Sequence, residues 1–203
     1  MDVYLIRHGE TVYNKLKKYQ GQQEIPLSPE GREALRPAGF VPDQVYVSPL
    51  GRARETAEIL FPGVKQIPVP GIMEMCFGKF EGQSYEDMEH DPVYVDWISR
   101  DAKGRCPGGE SKTEFTQRVV QAMQQLVEIG LKTPEKPLVI VAHGGTQMAA
   151  MEAMGRPAED YYSWCAPNGC GYRLTVDPEK WAAGEHILTL AEKICCTKQA
   201  HTW

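Results

Sequence analysis

Five side chains in this sequence have the chemistry needed to handle a phosphate: Arg7, His8, Arg52, Glu74 and His143. Arg7 and His8 close the first apolar run, Val3-Tyr4-Leu5-Ile6, and Gly9 follows them. A guanidinium is a rigid fork of donors matched to phosphate or carboxylate. An imidazole is a nucleophile or base near neutral pH. A glycine lets the backbone turn sharply and approach a ligand. Alone, Arg-His-Gly is equally well explained as a strand end with a surface arginine and a hydrogen-bonded histidine. The other positions tip the balance. Arg52 follows Ser48-Pro49-Leu50-Gly51 and stands four residues before Thr56. The two therefore share a helix face near the N-terminal end, where free N–H groups favour anions. His143-Gly144-Gly145 follows the apolar run Leu138-Val139-Ile140-Val141-Ala142. Glu74 lies in the Gly-rich stretch 72–82 among apolar neighbours. Burial there raises a carboxyl pKa and suits a general acid, against the alternative of a salt-bridged core carboxylate.

Together these groups fit a phosphate monoester. Arg7 and Arg52 neutralise about two negative charges and bind oxygens bidentately. Their field keeps a neighbouring histidine neutral and nucleophilic. His143, with the helix after it, donates to the phosphoryl oxygens as charge redistributes. Glu74 protonates the leaving oxygen and then takes a proton from water. Gly9, Gly144 and Gly145 keep the backbone clear of the phosphate. No metal or other cofactor is required, because arginine supplies the positive charge.

The elements that must position these groups follow from the pattern of the chain. Strands are expected over about 2–7, 44–47, 64–69, 138–142, 171–176 and 186–190. Helices are expected from Ser28-Pro29 to about 37–39, from Pro49 with Ser48 as its cap, from Ser111 or Thr113 to about 129, and over 146–154. Residues 84–106 are aromatic and charged helical pieces, an excursion that lids the pocket. The tail 195–203 reads as loosely ordered. Strands alternating with helices predict an α/β fold, a three-layer αβα sandwich with a mostly parallel central sheet and a lid excursion over about 72–111. One domain, 1–203, is expected. In such sheets ligands bind beyond the carboxyl ends of the strands, and His8, Ser48 and His143 all fall there.

Composition limits the rest. With 42% hydrophobic and 24% charged residues the chain is an ordinary globular protein. No apolar run approaches the ~20 residues needed to span a bilayer, and no signal peptide is visible, so no membrane partner and a cytoplasmic location are expected. The net charge of -5 argues against nucleic acid as a partner. The cysteines at 76, 106, 165, 170, 195 and 196 form no CxxC pair and read as free thiols rather than a metal site. His90, His186 and His201 read as surface or structural residues, and Trp181 and Trp203 as exposed aromatics. Glu81 is either a second pocket acid or the partner of an arginine. Arg100, Lys103 and Arg105 either touch the non-phosphate part of a substrate or are simply solvated.

Arg7-His8-Gly9-Glu10-Thr11 with Asn14, Ser48-Pro49-Leu50-Gly51-Arg52-Ala53 with Thr56-Ala57, Glu74, and His143-Gly144 together resemble the histidine phosphatase superfamily, the phosphoglycerate mutase-like group. The resemblance implies a phosphohistidine mechanism with His8 as nucleophile. It implies a phosphate pocket of Arg7, Arg52 and His143, Glu74 as proton donor and Asn14 as an accessory pocket residue. Gly9, Thr11, Glu81 and Gly144 complete the expected substrate-binding set. A second pattern is Phe77-Gly78-Lys79-Phe80-Glu81-Gly82, Ser84-Tyr85-Glu86, Trp97, and Pro107-Gly108-Gly109-Glu110-Ser111 with Phe115 and Arg118. It resembles the small phosphatases of the α-ribazole phosphatase type, and also broad-specificity and fructose-2,6-bisphosphatase domains. Phe80 and Tyr13 stand where that branch often carries tryptophan. The implied activity is a metal-independent phosphomonoesterase acting on a small phosphorylated metabolite, with α-ribazole 5'-phosphate as one candidate, in a monomer or homodimer. The alternatives are a mutase-type phosphotransferase and a broad-specificity or sugar-bisphosphate phosphatase. The longer insertion and paired arginines of the mutases are not seen.

Overall fold

The buried runs of the sequence become the strands of one sheet. In the computed structural model, which describes residues 1–100, 102 and 104–198, they alternate with helices along most of the chain. The first half contains β1 (Asp2–Arg7), α1 (Val12–Lys15), α2 (Pro29–Ala34), β2 (Gln44–Val47), α3 (Gly51–Leu60) and β3 (Lys65–Pro68). Next come α4 (Tyr85–Met88) and α5 (Pro92–Ser99). The second half runs α6 (Lys112–Gly130), β4 (Leu138–Ala142), α7 (Gly144–Met154), β5 (Gly155–Arg156), β6 (Cys170–Thr175), α8 (Pro178–Ala182) and β7 (Leu188–Cys195). Among the described residues no helix is long and apolar enough to cross a membrane.

The sheet has seven strands in the order β3-β2-β4-β1-β6-β7-β5. β1 and β2 both pair in parallel with β4, and β2 with β3. β6 runs antiparallel to β1 and to β7. Side chains alternate between two faces, as a pleated strand requires. Val3, Leu5, Ile140 and Ala142 enter a core with α6 and α7. Ile6, Val45, Val139 and Val141 enter a second core with Ala53, Ala57 and Leu60 of α3. The long helix α6 buries Phe115, Val119, Ala122, Met123, Leu126 and Val127 at helical spacing. Each such large side chain is worth about 1.5–3 kcal/mol of apolar burial. Ser111 and Glu114 close a capping box at its start.

Several expectations are corrected. α2 ends at Ala34, because Leu35 leaves the helix to bridge Thr197. Helix α3 starts at Gly51 with Leu50 as its N-cap and no side-chain cap, so Ser48 is free for another task. The late hairpin reaches Cys195, and the tail is held through 198 by Arg36 N–H donating to Cys196 O and Lys198 N–H to Ala34 O. Trp181 is buried rather than exposed. Two of the six cysteines are not free: Cys170 and Cys195 face each other across β6 and β7 and form a disulfide. The readings of Lys103, His201 and Trp203 lie outside the described residues.

Candidate active site

The parallel register brings three strand ends to one place. Arg7 pairs with Ala142 and Val47 with Val141. The ladder then continues one step past the strands: His8 N–H donates to Ala142 O at 3.0 Å and Ser48 N–H to Val141 O at 3.0 Å. His8 and His143 end up edge to face with ring centroids 5.2 Å apart. Both rings are almost fully buried.

The hydrogen bond to a carbonyl fixes the tautomer of His8, while His143 meets a hydroxyl that can donate or accept. His8 Nδ1 lies 2.6 Å from Gly9 O, an acceptor only, so Nδ1 carries the proton and Nε2 keeps its lone pair. Burial, then Arg52, then Arg7 hold the His8 pKa well below its usual value. The ring is therefore neutral and nucleophilic. His143 Nε2 is 2.7 Å from Ser48 Oγ, while its Nδ1 is buried with no hydrogen-bond partner in the protein. Burial, Arg52, His8 and Arg7 push its pKa well down too. Neutral His143 accepting from the Ser48 hydroxyl has its N–H on Nδ1, a free donor.

The two guanidiniums are held by carbonyls, not carboxylates. Arg52 is 1% exposed and donates from Nη1 to Gln23 O (2.9 Å) and from Nη2 to Gly21 O (2.7 Å). Arg7 Nη1 donates to Ala166 O at 2.7 Å. Part of each fork is thus already used. In each, Nε is buried and unpartnered. Each guanidinium has five N–H groups, so several remain for an anion. Thr56 links this wall to His8: its Oγ donates to Arg52 O (2.7 Å) and accepts from Gly9 N–H (2.9 Å). The first N–H of α3 is taken by Glu24, since Gly51 N–H donates to its Oε2 at 2.9 Å.

Glu74 lies half-buried in the loop between β3 and α4. Met75 N–H donates to its Oε1 at 2.9 Å and Gly145 N–H to its Oε2 at 3.0 Å. The second bond ties the carboxylate to the first turn of α7, beside His143. Thr146 Oγ donates to Ile72 O at 3.1 Å and Gln22 Nε2 to Glu74 O at 3.1 Å, bracing the same loop.

The glycines do not all clear space for phosphate. A Cβ on Gly9 would press on Leu35 and Leu27, on Gly144 on the Arg7 guanidinium, and on Gly145 on Glu74. Gly9 thus serves packing, while Gly144 and Gly145 make room for the side chains of Arg7 and Glu74. Thr11 caps α1, and its N–H donates to Asn14 Oδ1 at 3.0 Å. Asn168 Nδ2 donates to His8 O (3.1 Å), to Gly9 O (3.3 Å) and to Asn14 Oδ1 (3.3 Å). The Asn14 amide oxygen is committed to these partners, which turns its amino group into the available donor. Glu81 meets backbone rather than an arginine: its Oε1 accepts from Gln22 N–H and from Phe77 N–H, each at 3.0 Å. Arg100 pairs with Asp96, and Arg105 donates to Gly109 O and pairs with Glu114.

Two contributors were not assigned these parts from the sequence. Ser48 looked like a helix cap. Asn168 sits in a Pro-Asn-Gly turn whose only sequence signal is the turn itself.

Beside Glu74 opens a cleft of about 250 Å³ lined by Tyr19, Phe77, Trp97, Tyr161, Tyr162 and Gly145 among others. Lys112 Nζ lies 3.7 Å from the Tyr161 ring centroid. A larger depression of about 640 Å³ lies behind Gly9, but Glu10, Glu30 and Glu33 on its rim disfavour an anion.

The chain is similar to known proteins of one family. The family described as "Histidine phosphatase superfamily (branch 1)" matches residues 3–187. A Bacillus subtilis relative named "Uncharacterized phosphatase PhoE" is 32% identical over 88% of this chain and 90% of its own. The structure of the alpha-ribazole phosphatase from Shigella flexneri superposes with a TM-score of 0.78 at 25% identity, covering 100% of each chain. That of a phosphoglycerate mutase from Thermus thermophilus gives a TM-score of 0.67 at 29% identity over 96% of this chain and 99% of that one.

Proposed function

Because the chain belongs to branch 1 of the histidine phosphatase superfamily, we propose that it is a metal-independent phosphomonoesterase working through a phosphohistidine. The observation that carries the reading is the tautomer lock on His8, with Nδ1–H spent on Gly9 O and a neutral Nε2 facing two guanidiniums. His8 Nε2 attacks phosphorus, the P–N bond forms and the P–O bond to the alcohol breaks. The protonated Glu74 gives its proton to the departing oxygen. Arg7 Nε, Arg52 Nε and His143 Nδ1–H bind the three phosphoryl oxygens, stabilising charge without a metal. Water then attacks phosphorus and gives a proton to Glu74. The P–N bond breaks, inorganic phosphate leaves and both groups return to their starting state. Asn14 is an accessory donor to the phosphate.

The aromatic cleft beside Glu74 lies where the alcohol would leave, which favours an ester of a flat, largely apolar alcohol. α-Ribazole 5'-phosphate, whose alcohol carries a flat, apolar benzimidazole base on its ribose, leads the substrate list. A small metabolite as sole partner, the cytoplasm as location, and a monomer or homodimer belong to the same proposal. Transfer of the phosphoryl group to a second hydroxyl in place of water is the other reading, favoured by the mutase-named structural neighbour.

The test is phosphate release in EDTA from a panel holding α-ribazole 5'-phosphate, 3-phosphoglycerate, fructose 2,6-bisphosphate, nucleotides and aryl phosphates. One strongly preferred ester, with labelled phosphate trapped by the wild type and not by His8→Ala, is the expected result. Undiminished turnover by His8→Ala would refute the mechanism. Isomer interconversion of phosphoglycerate faster than phosphate release would establish the mutase reading.

A further inference from the structure

We propose that Arg118 and Glu110 are positioning residues for Glu74, acting through the backbone of the loop that carries it. The proposal rests on Glu74 being the proton donor. Glu74 belongs to no helix or strand, so no regular ladder fixes its backbone. The carbonyls of Gly71, Met73 and Glu74 find their donors outside the loop. Arg118 reaches over from the second turn of α6 and supplies them. Its Nη1 donates to Gly71 O (3.0 Å) and Met73 O (3.1 Å), and its Nη2 to Glu74 O (3.3 Å). Its other edge meets Glu110 two-pronged, Nε to Oε1 at 2.9 Å and Nη2 to Oε2 at 2.8 Å.

Glu110 completes the clamp on the far side of Glu74. Its Oε2 accepts from Cys76 N–H, and its own N–H donates to Cys76 O, each at 2.8 Å. The loop is therefore gripped at 71, 73 and 74 by one residue and at 76 by its ion-pair partner. Gly78 shows how closely this loop must sit against the 107–110 turn. Its φ is +54°, and a Cβ there would lie 2.2 Å from Pro107 O. A plain salt bridge would spend the guanidinium on the carboxylate alone. Here three of its contacts go to carbonyls within three residues of the catalytic carboxylate or on that residue itself. The bond from Gly145 N–H to Glu74 Oε2 demands that placement, because Gly145 sits in the buried first turn of α7.

A carboxylic acid that has moved from the leaving oxygen fails most where protonation matters most. Alkyl phosphates need the proton, and 4-nitrophenyl phosphate hardly does, since its phenolate leaves unaided. The experiment compares kcat/KM for the two esters in Glu74→Gln, Glu110→Gln, Arg118→Lys and the double variant Glu74→Gln/Glu110→Gln, with melting curves for each. Glu110→Gln and Arg118→Lys are each expected to lower the alkyl ester by about tenfold or more and the aryl ester by less than roughly threefold. In the double variant the alkyl-specific loss should not exceed that of Glu74→Gln alone, because Glu110 acts through Glu74. Equal losses on both esters in Glu110→Gln and Arg118→Lys, or none, while Glu74→Gln stays selective, would overturn the proposal. A Glu74→Gln loss equal on both esters would instead overturn the proton-donor reading beneath it. Glu110→Gln conserves size and should melt close to wild type, while Arg118→Lys loses contacts of the fork and should melt lower. An unfolded Arg118→Lys leaves the Glu110→Gln comparison to decide.

Discussion

Gly145→Ala should damage catalysis while hardly touching stability. A Cβ at 145 would lie 2.0 Å from Glu74 Oε1, 2.9 Å from its Cδ and 3.2 Å from Oε2. The carboxylate must retreat by about 1.4 Å to reach ordinary contact at 3.4 Å. It is the end of a flexible side chain, half-buried, so it can swing away without disturbing the core. Swinging away breaks its bond from Gly145 N–H. A hydrogen bond of this kind contributes about 0.5–1.5 kcal/mol. Against that, alanine favours a helix over glycine by about 0.5–1 kcal/mol. The melting temperature should therefore shift by only a few degrees, since about 1 kcal/mol moves a domain of this size by roughly 2–4 °C. Chemistry is less forgiving: a misplacement of about 1 Å costs on the order of 100-fold. The assay is kcat/KM on an alkyl and an aryl phosphate, with a melting curve. We expect a loss of about 100-fold on the alkyl ester and a much smaller loss on the aryl ester. Full alkyl activity, or an equal loss on both esters, would refute the placement of Glu74 at the leaving oxygen.

Other perturbations test the rest of the site. Neutral buried His8 and His143 should keep the acid limb of the kcat/KM profile below pH ~6.5, the ordinary histidine value. Replacing Arg52 with Gln removes a cation that holds His8 down and should move that limb to higher pH, along with a loss of about 100-fold or more in rate. A limb that stays in place would break the link between Arg52 and His8. The same two histidines set the acid stability. Above pH ~6.5 they are neutral in both states; below it the unfolded chain takes up protons that the folded chain refuses. Stability should then fall with pH by up to about 1.4 kcal/mol per pH unit for each histidine until the folded pKa is reached. Urea midpoints measured from pH 7 down to 4.5 check this, and a flat profile would contradict it. Ser48→Ala strands His143 Nε2 in the core, with an expected destabilisation of about 1–3 kcal/mol. It should also lower kcat, because the His143 ring loses the hydroxyl that holds it; an unchanged kcat would remove that role from Ser48. Finally, denatured unreduced protein should titrate as four thiols, Cys76, Cys106, Cys165 and Cys196, and as all six after reduction. Six thiols without reductant would remove the Cys170–Cys195 bond.

The sequence carried the architecture because the signals involved are local and repeated. Leu138–Ala142 has five buried apolar residues and reads as a strand in isolation. Ser111 with Glu114 announces a helix start, and Phe115 to Val127 its buried stripe. Strand ends carrying His8, Ser48 and His143 pointed to one end of the sheet before any pairing was known. Elsewhere a local signal was overruled by something distant. Ser48-Pro49 has the form of a helix cap, but its hydroxyl does better 2.7 Å from a histidine 95 residues away. Leu35 was read inside a helix, yet it bridges Thr197 from the other end of the chain. The cysteines lacked any spacing that suggests a bond, because the pairing of 170 with 195 is a matter of strand register.

The sequence by itself determined which chemical groups this protein possesses and that strand ends would present them. Local propensity and hydrophobic period act over a few residues, and the phosphoryl-handling types are visible as types. Only the tertiary structure decided what each group is free to do. It spends His8 Nδ1–H on Gly9 O, part of each arginine fork on loop carbonyls, and Glu81 on two backbone amides. It turns the gaps at Gly144 and Gly145 into seats for Arg7 and Glu74. Those assignments depend on contacts between residues far apart in the chain, and buried polar groups take whichever partner the packing brings within hydrogen-bond reach.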